Sequence, residues 1–136
     1  MWVCGGGEKV TLKLLARHGD YGNWDVDVEG FKHKSKILQE HCKNENRDYS
    51  EIGRTLHTNV LIGKDKDDLD NKITKLAEYT NIPKEYYYDR PLVGTKEEVF
   101  NTYAQYENEG CSYLIAYIPD IIWGDTVNIL SELIES

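Results

Sequence analysis

Residues 1–20 read MWVCGGGEKVTLKLLARHGD, and this stretch decides the fold. Trp2 to Cys4 is an apolar, strand-like run, and three glycines at positions 5–7 end it. From Glu8 to His18 the apolar residues recur every three or four positions, which is the spacing of one helix face. The stretch therefore predicts a β-strand, a glycine-rich turn and an α-helix in direct succession.

The rest of the chain repeats this alternation. Further strands are predicted at 21–24, 55–62 and 112–118, and further helices at 28–44, around Leu69–Ala77, at 95–109 and after Asp120. The stretch 81–91 contains two prolines and three successive tyrosines and is predicted to be a long connection. Thr95, followed three positions later by Glu98, forms a capping box that opens a helix.

Alternation of this kind predicts an α/β fold with a parallel sheet, whose strands are joined by right-handed crossovers. A chain of 136 residues fits one ordinary domain, so residues 1–136 are predicted to form a single domain. Two architectures satisfy the pattern. One is a small open sheet covered by helices, and the other is half of an eight-stranded barrel, which needs about 250 residues when complete.

The composition argues against several classes of function. The net charge is −8 and no cluster of Lys or Arg on one predicted element offsets it, so nucleic acid is not expected as a partner. No apolar run approaches the roughly 20 residues that span a bilayer, and no basic leader with a cleavage site is visible. We therefore expect a cytoplasmic protein without membrane association. The three cysteines and four histidines lack the spacing of metal ligands, so no metal site is predicted.

Three longer segments carry a resemblance to a known family. They are VCGGGEKVTLKLLARHGD (3–20), RTLHTNVLIGKDKDDLDNKI (54–73) and RPLVGTKEEVFNTYAQYENEGCSYLIAYIPD (90–120). In order and spacing they resemble the C-terminal half of the luciferase-like monooxygenase family, which comprises flavin- and F420-dependent oxidoreductases built as TIM barrels. In that family the strand ending in a glycine-rich turn is the fifth, and the strand resembling SYLIAYIP is the eighth. The resemblance implies a parallel (βα)4 half of a TIM barrel, containing strands five to eight.

The glycine-rich turn is the first candidate site. Glycine lets the backbone approach an anion closely, and the N-terminus of the following helix presents free N–H groups with a partial positive charge. The resemblance implies that Gly5, Gly6 and Gly7, with the hydroxyl of Thr11, hold the phosphate of FMN or coenzyme F420. Glu8 would repel a dianion unless its side chain points away. The alternative is a plain strand-to-helix turn without a ligand.

A second candidate position lies at the end of the sixth barrel strand. Many family members have an Ala-Asp-Gly-Trp-Asn-like string there, whereas this chain has GDYGNW at 19–24. Asp20 and Asn23 are retained, and the glycine and tryptophan are displaced. The resemblance implies a place in the cofactor pocket for Asn23, and half-buried packing is the alternative.

Catalytic residues cannot be named from this sequence. The first four strands of the family barrel supply much of the flavin-facing wall and most catalytic groups, and this sequence contains none of them. The resemblance implies a flavin- or F420-dependent, monooxygenase-like oxidoreductase, or a truncated form that only binds the cofactor phosphate. The alternative is a non-catalytic relic or partner subunit with a structural half-barrel scaffold.

A half barrel also predicts partners. Its first and last strands have unpaired edges, and its concave apolar face is open to water. Two copies related by a two-fold axis would pair strand five of one copy with strand eight of the other and close an eight-stranded ring. We therefore expect a homo-oligomer, with a dimer favoured, or a complex with a separate N-terminal half.

Overall fold

The computed structural model describes residues 1–135, with side chains through Leu133. Its strands are β1 (Trp2–Cys4), β2 (Tyr21–Trp24), β3 (Gly53–Gly63), β4 (Leu92–Thr95) and β5 (Cys111–Tyr117). Its helices are α1 (Thr11–His18), α2 (Val28–Asn44), α3 (Lys66–Thr80), α4 (Lys84–Tyr88), α5 (Lys96–Asn108) and α6 (Thr126–Glu135), and a 3-10 turn covers Tyr49–Glu51. None of the helices in this described part is long and apolar enough to cross a bilayer.

The strands form one sheet in the order β1-β2-β3-β4, and β5 also pairs with β3. β1 and β2 are parallel, with Cys4 opposite Asn23. β2 is parallel to the first part of β3, and the last part of β3 is parallel to β4, with Gly63 opposite Thr95. The prediction of an α/β fold with a parallel sheet is confirmed.

The chain divides into two compact units. The first comprises residues 1–57 and 105–115, and the second comprises residues 58–104 and the chain from Ala116 onward. Strand β3 contributes residues to both units. Each unit has buried apolar side chains of its own, and the assignment of the whole chain to a single domain stays a prediction.

In the first unit, α1 and α2 pack against each other and bury their apolar faces. The buried side chains of α1 are Leu12, Leu15 and Ala16, as the spacing of three and four predicts. The rings of Trp24, Phe31 and Tyr106 extend this core edge to face, with successive centroids 5.2 and 5.7 Å apart. The buried Tyr106 hydroxyl donates a hydrogen bond to the Val26 carbonyl at 2.8 Å. This core fixes α2 beside the start of α1.

In the second unit, α3 packs beside α4 and β4. One core cluster of this unit comprises the buried side chains of Leu61, Leu69, Ile73, Leu76 and Tyr87. Asp65 begins α3, because its Oδ1 atom accepts a hydrogen bond from the backbone N–H of Asp68 at 2.8 Å. The core and the cap together hold the start of α3 immediately after the end of β3.

The structure differs from the sequence-based prediction between residues 81 and 95. α4 and β4 occupy a segment that was predicted to be a connection followed by a helix start. Pro83 precedes the first turn of α4, where the absent N–H of proline costs nothing. Glu98 Oε2 does accept a hydrogen bond from the Thr95 N–H at 2.9 Å, which is one of the two bonds of the predicted capping box.

Candidate functional site

The glycine loop, residues 5–7, follows the carboxyl end of β1. Gly5 has a φ angle of +105°, which a residue with a side chain adopts only under strain. Its N–H donates a hydrogen bond to the carbonyl of Asn23 on the neighbouring strand β2, at 3.4 Å. The carboxyl ends of parallel strands are where α/β proteins bind ligands, so the loop lies at the edge expected for a site.

Gly6 and Gly7 are surrounded by side chains that occupy the space a Cβ atom would need. A Cβ on Gly6 would lie 2.6 Å from Nζ of Lys34, and a Cβ on Gly7 would lie 2.8 Å from Oγ1 of Thr11. Both separations are shorter than a normal contact of a Cβ atom. Two polar side-chain tips therefore lie against the loop because these two residues are glycines.

The N-terminus of α1 lies next to the loop and has no capping side chain. The helix begins at Thr11, three residues later than predicted, because residues 8–10 form a turn. Its N-cap residue, Val10, contributes no side-chain hydrogen bond, and the first turn contains no acidic residue. The partial positive charge at this helix end is therefore not offset by an acidic side chain of its own first turn.

Three side chains of α2 contact the loop or Glu8, the residue that follows it, and we call them the α2 clamp: His33, Lys34 and His41. The ammonium of Lys34 donates a hydrogen bond to the Gly6 carbonyl at 2.7 Å. Nε2 of His33 lies 2.9 Å from the carboxylate of Glu8, and Nε2 of His41 lies 2.8 Å from the Glu8 carbonyl. The Glu8 carboxylate, which would repel a bound anion, therefore lies at hydrogen-bond distance from His33.

The loop and α1 form a locally basic part of an acidic chain. Residues 5–18 contain three basic side chains and one acidic side chain, a formal charge of +2, whereas the whole chain has −8. Arg17 uses its charge in an ion pair with Glu45 at 2.8 Å. Lys9 and Lys13 are exposed. Lys34 lies at the loop itself, and its positive charge favours an anion there.

Asn23 is buried on β2, the strand between β1 and β3, and its side chain bonds within the sheet. The Thr55 hydroxyl donates a hydrogen bond to Oδ1 of Asn23 at 2.9 Å. Nδ2 of Asn23 points to the Cys4 sulfur at 4.0 Å. With its backbone bond to Gly5, Asn23 fixes the end of β1 and the start of the loop.

The structure brings together all five residues predicted for the site. Gly5, Gly6, Gly7 and Thr11 form the loop and the helix start, and Asn23 adjoins them through Gly5. Their role in binding a cofactor stays a prediction. Sequence reasoning missed the α2 clamp. The spacing of Lys34 and His41 places both on one face of a helix, but no local pattern indicates which loop that face contacts.

A second group of charged side chains lies in the second unit, after the end of β3. The Lys72 ammonium donates to the Ile62 carbonyl at 2.6 Å and also pairs with Asp125. Burial disfavours the charged ammonium, but the hydrogen bond and the negative charge of Asp125 raise the pKa of Lys72 above its ordinary value. The group borders a cavity of about 390 Å³. Among residues 1–135, no group of acidic, histidine or cysteine side chains is arranged to hold a metal ion.

No model of a known protein family matches the sequence, and no curated protein matches it. Solved structures do match 98% of this chain. An F420-dependent secondary alcohol dehydrogenase in complex with an F420-acetone adduct matches with a TM-score of 0.74 and 13% identity. A long-chain alkane monooxygenase matches with a TM-score of 0.72 and 17% sequence identity. A riboflavin lyase with modified FMN and riboflavin matches with a TM-score of 0.73 and 12% sequence identity.

These similarities establish the fold. The chain spans 47%, 40% and 42% of the lengths of the three matched chains, which is less than half of each. These neighbours are an F420-dependent dehydrogenase, an alkane monooxygenase and an FMN-containing lyase, and their chains form TIM barrels. The expected half-barrel architecture is therefore confirmed. The assignment to the C-terminal half, with strands five to eight, stays a prediction.

Proposed function

We propose that this chain is the half of a flavin- or F420-dependent, monooxygenase-like oxidoreductase that binds the cofactor phosphate. In this proposal β1 corresponds to strand five of the barrel and β5 corresponds to strand eight. The observation that carries the proposal is the glycine loop, which follows a parallel strand and precedes the uncapped N-terminus of α1. The fold shared with F420- and FMN-containing structures supports this class of cofactor.

The residues at the loop fit a phosphate group. Gly6 and Gly7 leave room beside the loop for two hydrogen-bond donors, the Lys34 ammonium and the Thr11 hydroxyl. The Lys34 ammonium adds a positive charge. The Glu8 carboxylate lies 2.9 Å from Nε2 of His33, at hydrogen-bond distance from the α2 clamp.

A bound flavin or deazaflavin supplies hydride transfer. In this proposal the chain's own contribution is to hold the phosphate and to fix where the attached ring lies. Gly5 and Asn23 would set the position of the loop relative to the sheet, since they join the loop to β2. No general acid or base is assigned to this chain.

We further propose that a second copy, or a separate N-terminal half, completes the barrel. An aromatic layer supports this. Trp2 stacks on Tyr21 with ring centroids 4.6 Å apart, and Tyr113 meets Tyr21 edge to face at 5.9 Å. Trp2 is 47% exposed and Tyr113 is 54% exposed, so the layer leaves large apolar rings in water. Exposed apolar surface of this kind is typical of an interaction face.

A second candidate function is that of a non-catalytic relic or partner subunit. The observation that favours it is that His33, Lys34 and His41 already bond to groups of the chain itself at the loop, as in a structural turn. Such a protein would keep the scaffold without the groups that the other half of the barrel provides.

Fluorescence titration of the purified protein with FMN and with F420, run in parallel, tests the proposal. Saturable binding of one cofactor, weakened by Thr11→Ala, is the expected result. Thr74→Ala serves as the matched control, because its hydroxyl lies on α3 and donates to the Asp70 carbonyl of its own helix. Binding of neither cofactor would contradict the proposal and favour the non-catalytic alternative.

A further inference from the structure

We propose that Lys34 is the side chain through which the glycine loop recognises the phosphate group. This inference rests on the proposed function, and it adds a binding residue from α2 to a site that the sequence predicted from the loop, α1 and β2. The ammonium of Lys34 lies at the loop already, 2.7 Å from the Gly6 carbonyl. It is partly buried there, so it is a fixed part of the loop surroundings.

The charge of Lys34 is not balanced by a carboxylate of the described chain. Six other lysines form ion pairs with Asp or Glu, namely Lys32, Lys64, Lys66, Lys72, Lys84 and Lys96. Lys34 instead bonds to a neutral carbonyl. An ammonium has three donors, so the Gly6 carbonyl leaves donors for a further acceptor. A partly buried cation with only a neutral partner favours an anionic ligand.

Gly6 and Lys34 depend on each other. A Cβ on Gly6 would lie 2.6 Å from Nζ and 2.7 Å from Cε of Lys34, so any side chain at position 6 would displace the lysine tip. Gly6 does not have the positive φ angle of Gly5, and its backbone torsion therefore gives no reason for glycine. The reason is the room that it leaves for the ammonium.

Lys34 and Thr11 place two donors beside neighbouring glycines. The ammonium lies against Gly6 and the Thr11 hydroxyl lies against Gly7. A phosphate group has several acceptor oxygens and binds most strongly to charged donors. The arrangement therefore assigns the charge recognition to Lys34 and the neutral hydrogen bond to Thr11.

The test compares ligands that differ only in the phosphate. FMN and riboflavin share one ring system, and F420 is compared in the same way with its phosphate-free deazaflavin chromophore. Lys34→Met is expected to weaken the binding of the phosphorylated ligand roughly tenfold or more, the effect of losing a charged hydrogen bond, and to leave the phosphate-free ligand unchanged. Lys34→Arg keeps the charge and should retain most of the affinity. Lys36→Met, an exposed position on the same helix, is the matched control and should bind like the wild type.

A measurement on the wild type covers the case in which a Lys34 variant fails to fold. Inorganic phosphate should compete with FMN and should not compete with riboflavin. Unchanged FMN affinity in Lys34→Met would overturn the role of Lys34 and leave the proposed function standing, as would equal weakening of FMN and riboflavin. Failure of the wild type to bind either cofactor would overturn the proposed function and this inference together.

Discussion

The ammonium of Lys72 lies 3.6 Å from the carboxylate of Asp120, and both side chains are more than nine-tenths buried. The Thr126 hydroxyl donates a hydrogen bond to the same carboxylate at 2.8 Å and accepts one from the Ile62 N–H at 3.1 Å. Because a buried charge is costly unless it is paired, each member of this cluster depends on the others.

Removing the ammonium should therefore destabilise the protein strongly. We expect Lys72→Met to lower the free energy of unfolding by about 3–5 kcal/mol, since it leaves the carboxylate of Asp120 buried and uncompensated. Urea denaturation of wild type and variant measures the loss. The double variant Lys72→Met/Asp120→Asn should recover part of it, because it also removes the carboxylate's charge.

Lys75→Met is the matched control for this experiment. Lys75 is exposed and lies over the Trp123 ring at 4.0 Å, an interaction worth about 1 kcal/mol or less at such sites. If Lys72→Met lowers the free energy of unfolding no more than Lys75→Met does, Asp120 does not depend on Lys72.

The same cluster predicts how stability varies with pH. The hydrogen bond from Lys72 holds the pKa of the Asp125 carboxyl below its ordinary value of 3.8. A carboxyl whose pKa is lower in the folded state stabilises the protein above the ordinary pKa, and this contribution is lost as the pH falls through the folded pKa. The pKa of Lys72 is raised in the folded state, so this lysine stabilises the folded protein at every pH below its ordinary pKa of 10.5. That contribution is lost only above this value.

We therefore expect the contribution of this pair to be constant near neutral pH and to decline below about pH 4. Unfolding free energies measured from pH 7 to pH 2 should fall less steeply in Asp125→Asn than in the wild type. Parallel pH profiles for the two proteins would exclude a role for Asp125 in acid unfolding.

The sequence predicted the elements whose residues pack by a regular pattern. α2 begins and ends at the predicted residues, Val28 and Asn44. β4 was missed because its four residues carry little periodicity, and pairing with β3 defines it. Lys34 and the pair of Lys72 with Asp120 were missed for a related reason. Their partners lie far away in the sequence, and only the packing of helices brings them together.

The three glycines of the loop should respond differently to substitution. Gly5→Ala should lower the free energy of unfolding by about 1–2 kcal/mol, because its φ angle of +105° is unfavourable for a residue with a side chain. Gly6→Val should cost less stability, since the atom it meets is the flexible end of Lys34. It should nevertheless abolish phosphate-dependent binding of the cofactor.

Thermal unfolding and FMN titration of the two variants separate these effects. The oligomeric state should not change in Gly6→Val. Loss of the oligomer together with cofactor binding in that variant would mean that the loop is a structural turn.

The aromatic layer predicts the association state. The rings of Trp2 and Tyr113 are partly exposed and lie 6.5 Å apart, on strands that each have one neighbour in the sheet. A second copy that closes the ring would bury both rings, and a charge placed among them would then have to lose its water. We expect the wild type to sediment as a dimer at micromolar concentration and Tyr113→Lys to sediment as a monomer. Tyr79→Lys is the control, because Tyr79 on α3 is 88% exposed and should leave the dimer intact. A wild type that stays monomeric would eliminate the second copy as the occupant of this face and leave a separate N-terminal half as its partner.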